Sequence, residues 1–222
     1  DVLCAHLSEE QAQLGSDCLQ GIIDHLQRKR TRAQKPIVRL DKRMRQDDLA
    51  GQINQLVRRI KWRGRRQEPT FEQIAIKTLR PRVSKFFEAG AADLSNVENL
   101  HNMRIVGKKL RYSIELFSPA FDCALRKEVY PVFAAVQEEL GNINDHVVAK
   151  LMFECWLMQT DDRPTANCIA RLIAEEREGF LQASTRFHNW WQPDTIVELR
   201  RQFAQILGDP EPFQSPPRLR AI

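Results

Sequence analysis

Glycine and proline are scarce in this 222-residue sequence, with nine and 11 residues, respectively. A sandwich or barrel of many hairpins needs such residues in its turns, so the composition disfavours an all-β fold. No segment approaches the roughly 20 consecutive apolar residues that span a bilayer. We therefore expect a soluble protein that does not associate with membranes.

Cysteine is also sparse, and the five cysteines are Cys4, Cys18, Cys123, Cys155 and Cys168. No two of them stand in C-x-x-C spacing, which argues against a disulfide framework or a structural zinc site. We expect reduced cysteines and a cytoplasmic location. The histidines have no zinc spacing, and the sequence contains neither a G-x-x-x-x-G-K-[ST] phosphate loop nor a G-x-S-x-G elbow. We expect no metal, no cofactor and no enzymatic activity.

Positive charge is concentrated in one segment of the chain. Residues 28–66 contain 15 lysines and arginines against three aspartates, a net charge of +12. The net charge of the whole sequence is +5, so the other 183 residues carry −7. A basic block on a mildly acidic body indicates a polyanionic partner, such as nucleic acid, polyphosphate or anionic lipid. The alternative interpretation is a solvated helix face.

Helix-capping patterns recur at 8–11, 70–73 and 95–98, and each predicts the start of a helix. Pro36 is expected to end the first helix, with a second one following from Val38 to Trp62. Pro81 is expected to kink or restart the helix that begins near residue 70. Both expectations follow from the missing N–H of proline and from its restriction of the preceding residue.

The C-terminal half shows further helix signals. Pro131 is predicted in the first turn of a helix that ends at Gly141, and Asn144 or Asp145 is predicted to cap the next one. The break at 161–164 precedes a long helix that ends near Trp191, and the last helix covers 194–207. Since no segment has strand periodicity, we predict an all-α fold of seven or eight helices packed as bundles.

The segment HNMRIVGKKLRYSIELF, residues 101–117, is amphipathic. Cationic side chains recur within an arc of about 80° on one face, and apolar side chains occupy the opposite side. The cationic row consists of His101, Arg104, Lys108 and Arg111. It rises by about 15 Å, which suits an extended polyanion better than a single phosphate. Ordinary solvated charges on an exposed helix are the alternative.

The run L-H-x-x-R-x-x-x-K-x-L-R-Y-x-x-E at 100–115, followed by V-Q-x-x-L-G-N-I-N-D at 136–145, which ends in LGNIND, resembles the CHAD family, the conserved histidine α-helical domain. The resemblance is clear over about 70–160 and implies an all-helical domain of two related halves around a basic cavity that binds inorganic polyphosphate. It assigns the motif histidine to His101 and the basic positions to Arg104, Lys108 and Arg111. Lys109 and Arg30 are weaker candidates for the same site. Asn144 and Asp145 are expected to cap a helix, with a direct role in binding as the alternative.

Family members carry the histidine helix twice, once in each half. Residues 1–3 resemble the end of the first half's motif region, so we expect the first histidine helix to precede the printed sequence. We expect the domain to span 1–207, with 1–94 as the remainder of the first half and its connecting helices, and 95–207 as the second half. Residues 208–222 form a proline-rich tail that is expected to be irregular.

These features favour a non-enzymatic module that binds polyphosphate and targets the protein to polyphosphate granules. A helical protein that binds nucleic acid or another polyanion is the first alternative, because the basic block suits a phosphodiester backbone. The second alternative is an accessory domain of a triphosphate-processing enzyme, because CHAD domains are often fused to CYTH-type domains. The E-x-E-x-K signature of those domains is missing from this sequence.

Overall fold

The computed structural model describes residues 7–8, 19–60, 67–121, 123 and 125–208. Most of these residues are helical and none lies in a β-strand, which confirms the all-α prediction. The α-helices are α1 (Gln20–Gln46), α2 (Leu49–Arg59), α3 (Phe71–Gly90), α4 (Val97–Phe117), α5 (Tyr130–Leu157), α6 (Arg163–Trp190) and α7 (Pro193–Leu207). A 3-10 turn at Ser118–Ala120 follows α4, and a π-helical segment at Leu125–Val129 precedes α5.

The chain forms two compact units, which we call the first unit and the second unit. The first unit comprises residues 1–68 and 152–173, and the second comprises 69–151 and 174–222. The boundary predicted at 94/95 falls inside the second unit, and the division into halves stays a prediction. The capping pattern at 8–11 lies mostly outside the described residues, as do Trp62 and the tail at 209–222.

In the first unit, α1 and α2 bury very little apolar surface. Ile23 is the buried residue of α1, and α2 has none. The apolar residues at helical spacing in and just after α2 are solvent-exposed, with Ile53, Leu56 and Ile60 exposing 50%, 64% and 71% of their surface. Among the described residues, this apolar face does not form a core.

Neither Pro36 nor Pro81 ends a helix, so the predicted interruption at Pro36 is wrong. At Pro81 the helix does not restart, and the alternative, a kink, stays a prediction. α1 continues through Pro36 and α3 through Pro81. A proline removes one intrahelical hydrogen bond, and at Pro81 the neighbouring side chains of Leu79 and Val83 are fully buried in the core. The chain breaks instead at Asp48, whose left-handed φ of 44° and side-chain bond to the Gly51 amide begin α2.

The second unit has an aromatic core. The Phe86 ring lies 4.8 Å from that of Phe133 and 5.6 Å from that of Trp191, measured between centroids. Phe133 also packs edge-on against Phe203 at 5.5 Å. The Trp191 indole N–H donates to the carbonyl of Gly90 at 3.0 Å, so its polar atom is satisfied although the ring is buried. These contacts join α3, α5 and α7 to the end of α6.

Three of the helix starts have the caps that their sequences favour. Thr70 and Gln73 form a reciprocal capping box at α3, which confirms the prediction there. Asn96 accepts from the Glu98 amide at the start of α4. Asp162 precedes α6, where hydrogen bonds from the side chain and backbone of Thr165 lower the pKa of its carboxyl group. The predicted starts of α3 and α4 agree with the observed ones to within a residue.

The predicted helix end at Gly141 is wrong, because α5 runs without interruption from Tyr130 to Leu157. Asn144 and Asp145 therefore lie inside this helix and cap nothing. A glycine inside a helix costs about 1 kcal/mol relative to alanine. Leu140 and Ile143 beside it are almost completely buried, and packing of this face supports the helix through Gly141.

The cysteines differ in their pairing. Cys168 is disulfide-bonded, so the expectation of reduced cysteines is wrong at this position, whereas Cys123 and Cys155 are free.

Among the described residues, none of the helices combines the length and apolarity needed to cross a membrane.

The glycines of α3 and α5 provide a matched test of this packing. A Cβ at Gly90 would lie 2.4 Å from the Trp191 ring, whereas a Cβ at Gly141 would meet nothing within 4 Å. We expect Gly90→Ala to lower the free energy of unfolding by about 1–3 kcal/mol through overpacking. Gly141→Ala should raise it by up to about 1 kcal/mol because the helix continues there. Chemical denaturation measures both, and destabilisation by Gly141→Ala would contradict a continuous α5.

Candidate anion-binding cleft

The apolar face of α4 determines where its cationic face lies. Met103, Leu110 and Ile114 are fully buried in the core of the second unit. These positions recur at helical spacing, so the side chains between them on the other face are held at the surface. Arg104, Lys108 and Arg111 are consequently only partly buried.

A cleft of about 290 Å³ lies between α4 and α5 in the second unit. Its described lining residues are Arg104, Lys108, Arg111 and Tyr112 from α4, and Ala134, Gln137 and Glu138 from α5. The structure thus brings together three of the four residues of the cationic row, as the spacing predicts. His101 does not line the cleft, and it lies one turn before Arg104 on the same helix.

Arg111 is held by three neighbouring groups. Its guanidinium donates to the Tyr130 hydroxyl at 3.3 Å and lies 3.8 Å from the carboxylate of Glu115. Its Cζ atom is 4.5 Å from the centroid of the Tyr112 ring, a cation–π distance. The Arg111 side chain is 23% exposed. This arrangement reduces the rotamer freedom that Arg111 would lose on binding a ligand.

Arg104 and Lys108 have neither a hydrogen bond nor an ion pair with any described side chain. Both are half-buried and lie one turn apart on the same helix, where like charges repel. Glu138 lines the same cleft but is not within ion-pair distance of either residue. The cleft therefore contains positive charge that the described part of the protein does not neutralise.

His101 has a specific partner on α5. Its Nδ1 atom lies 3.0 Å from the Oδ1 atom of Asn144, and the imidazole is otherwise exposed. Asn144 in turn donates from Nδ2 to the carboxylate of Asp145 at 3.4 Å. Asn144, which the sequence assigned to a helix cap, thus contacts the histidine that carries the family resemblance.

Gly107 permits the close crossing of α4 and α5. A Cβ at this position would lie 2.3 Å from Nε2 of Gln137 and 3.2 Å from the Phe86 ring. Both amide atoms of Gln137 are inaccessible to solvent and lack a hydrogen-bond partner among the described residues. A larger residue at 107 would displace the amide of Gln137, a residue that lines the cleft, and would press on the Phe86 ring.

The two weaker candidates are not part of this cleft. Lys109 is exposed and lies outside the residues that line it. Arg30 belongs to α1 in the first unit and is exposed there. Their roles in binding stay predictions.

Sequence reasoning missed Tyr130 and Gln137 as members of the site. Tyr130 begins α5, and no motif or spacing marks its hydroxyl as a partner of Arg111. Gln137 precedes LGNIND, but its packing against Gly107 depends on the helix crossing. Asn144 lies within a recognised motif, and its role was misassigned because the helix was expected to stop before it.

Fold and site together define a class of protein: an all-helical protein with a cationic cleft between two packed helices. Within the described residues, no group of three or more histidine, cysteine, aspartate or glutamate side chains is placed to hold a metal ion. Residues 1–154 match the family model of the CHAD domain, and the chain therefore belongs to the CHAD family. Comparisons with curated proteins and with solved structures found no match.

The different surroundings of Arg111 and Arg104 lead to a test by NMR relaxation of the arginine Nε–H groups. We expect Arg111 to be the more ordered of the two, because it has three partners and Arg104 has none among the described residues. Tyr130→Phe removes a hydroxyl acceptor and should increase the mobility of Arg111, at a cost of about 0.5–1.5 kcal/mol in stability. Arg104 serves as the internal control. Equal mobility of the two arginines in the wild type would contradict this description.

Proposed function

We propose that this protein binds inorganic polyphosphate, without catalysis, in the cleft between α4 and α5. CHAD domains are associated with the binding of polyphosphate and triphosphate. The observation that carries the proposal is the half-buried pair Arg104 and Lys108, which lacks a carboxylate partner among the described residues. A bound polyanion would neutralise these charges and remove their mutual repulsion.

The length of the cationic row supports a polymeric ligand. Ten residues separate His101 from Arg111, which corresponds to about 15 Å along the helix axis. A single phosphate contacts only one or two such side chains, whereas successive phosphates of a chain meet successive cations. Arginine binds phosphate oxygens bidentately and lysine contributes a mobile point charge. Glu138 lines the α5 side of the cleft, which favours a path for the anion along α4.

Binding of this kind gives the domain a localising role. A module that holds polyphosphate by several weak contacts attaches its protein to large polyphosphate stores more firmly than to short chains. We infer that the protein associates with polyphosphate granules. The contacts are ionic and partly exposed, so the affinity falls as the salt concentration rises.

Nucleic-acid binding is the second candidate, and one observation in the first unit favours it. A groove of about 590 Å³ along α1 is lined by Arg28, Arg32 and Lys35, together with Asp24, Gln27 and Thr31. These cations lie on one helix face and suit a phosphodiester backbone. The groove belongs to a different unit from the cleft, so the two candidate sites can be tested separately.

The principal test compares two double variants with the same change in charge. Arg104→Gln/Lys108→Gln removes the unpaired cations of the cleft, whereas Arg126→Gln/Lys127→Gln removes exposed cations from the segment before α5. Each charge-assisted contact contributes about 1.5–3 kcal/mol. We therefore expect the cleft variant to weaken the binding of long-chain polyphosphate by at least about a hundredfold, and the control variant to weaken it less than about threefold. Calorimetry at physiological salt measures both.

Equal effects of the two double variants would show that binding follows net charge and would overturn the cleft as the site. Magnesium-dependent release of orthophosphate by the wild-type protein, lost in the cleft variant, would overturn the non-enzymatic part of the proposal. The assay includes enzyme-free polyphosphate with magnesium as its blank.

The nucleic-acid alternative has its own variant. Arg28→Gln/Arg32→Gln/Lys35→Gln removes the cations of the α1 groove and leaves the cleft unchanged. We expect this triple variant to retain polyphosphate binding to within about threefold, because its positions belong to the first unit. Duplex DNA of matched charge should bind the wild type at least about tenfold more weakly than polyphosphate. Preferential binding of DNA that the triple variant loses would reverse the ranking of the two candidates.

A further inference from the structure

Asn144 restricts the tautomers that His101 can adopt. Nδ1 of His101 lies 3.0 Å from Oδ1 of Asn144, and a carbonyl oxygen only accepts hydrogen bonds. The amide is held in this orientation because its Nδ2 donates to the Asp145 carboxylate at 3.4 Å. Flipping the amide would bring its oxygen towards that carboxylate. The hydrogen-bond network therefore requires a hydrogen on Nδ1.

The state of the other ring nitrogen follows from this requirement. In a neutral imidazole one nitrogen carries the hydrogen and the other a lone pair. With the hydrogen on Nδ1, a neutral His101 presents the Nε2 lone pair to an approaching ligand. An internal phosphate of a polyphosphate chain has oxygen acceptors but no proton to donate. It is repelled by that lone pair and is attracted by Nε2–H of the doubly protonated imidazolium.

We propose that Asn144 is a positioning residue that makes His101 bind phosphate only as the imidazolium, so that polyphosphate binding takes up a proton at this site. The inference rests on the proposed function and adds to it a residue outside the cationic row and a dependence on pH. Histidine side chains in general change charge between about pH 5 and pH 8, which sets the pH range of the test. The proton comes from solvent and stays on Nε2, where it is donated to a phosphate oxygen.

Charged residues flank His101 along α4 and adjoin its partner on α5. Glu98 and Arg104 lie one turn away on α4, on either side of it, and Asp145 adjoins Asn144 on α5. A bound polyanion adds negative charge beside the imidazole, which favours the imidazolium.

The experiment titrates long-chain polyphosphate calorimetrically at about pH 7.5 in buffers that differ in ionisation enthalpy, and repeats the titration from about pH 6 to pH 8. The wild type should take up a fraction of one proton per site in excess of His101→Gln. Its affinity should fall as pH rises, by at most about tenfold per pH unit for one coupled proton. In long polyphosphate chains the terminal phosphates are a small fraction of all phosphates. Their own titration therefore contributes little to the measured proton uptake.

Two substitutions of Asn144 should act differently on this profile. Asn144→Leu removes the acceptor and allows neutral His101 to carry its hydrogen on Nε2, so proton uptake should decrease and the pH profile should flatten. Asn144→Asp supplies a carboxylate that stabilises the imidazolium, so the fall in affinity should move to higher pH. Asn142→Leu, at an exposed position two residues away on the same helix, is the matched control and should keep the wild-type profile.

The outcomes separate this inference from the proposed function. An equal loss of affinity at every pH in Asn144→Leu would assign Asn144 a purely structural role and overturn the inference. A wild-type affinity that does not change with pH would also overturn the inference. In that case, loss of binding in Arg104→Gln/Lys108→Gln would still support the cleft as the binding site. Absence of polyphosphate binding at every pH would overturn both.

Discussion

The close contact of α4 with α3 and α5 at Gly107 is the constraint on which the rest of the second unit depends. At this point the Gln137 amide occupies the space that a Cβ would fill, and the Phe86 ring would lie 3.2 Å from that Cβ. The contact places the apolar face of α4 in the core and leaves its cationic face along the cleft. It also brings α5 near enough for Tyr130 and Asn144 to reach Arg111 and His101. The same packing thus forms the core and positions the site.

Electrostatics in the cleft differ from those of the exposed surface around it. Elsewhere, cations pair with acids on the same helix, as Arg45 does with Asp41 and Arg201 with Glu198. In the cleft, Arg104 and Lys108 remain without such partners among the described residues. Burial raises the cost of leaving like charges together because solvent screens them less. An arrangement of this kind favours a ligand that supplies the missing negative charge.

Much of the second unit was predictable because its signals are local. The capping box at Thr70, the start of α4 after Asn96 and the cationic arc of that helix depend on residues a few positions apart. The error at Gly141 arose because glycine ends many helices, and only long-range burial of Leu140 and Ile143 explains why this one continues. Pro81 misled in the same way, since burial of Leu79 and Val83 on either side of it supports α3 despite the lost hydrogen bond. α1 also continues through Pro36, but the side chains around Pro36 are exposed and no contact among the described residues explains its continuation.

The sequence by itself determined the helical class, the amphipathic pattern of α4 and the order of its cationic residues, because each follows from side-chain periodicity within one helix. Tertiary structure alone decided which residues complete the site. Tyr130, Gln137 and Asn144 are 19 to 43 positions from the α4 residues they contact, and their hydrogen-bonding groups have no local signature. Their proximity comes from the crossing of α4 and α5. Packing of the apolar faces of the two helices sets this crossing, and the residue spacing within a single helix does not encode it.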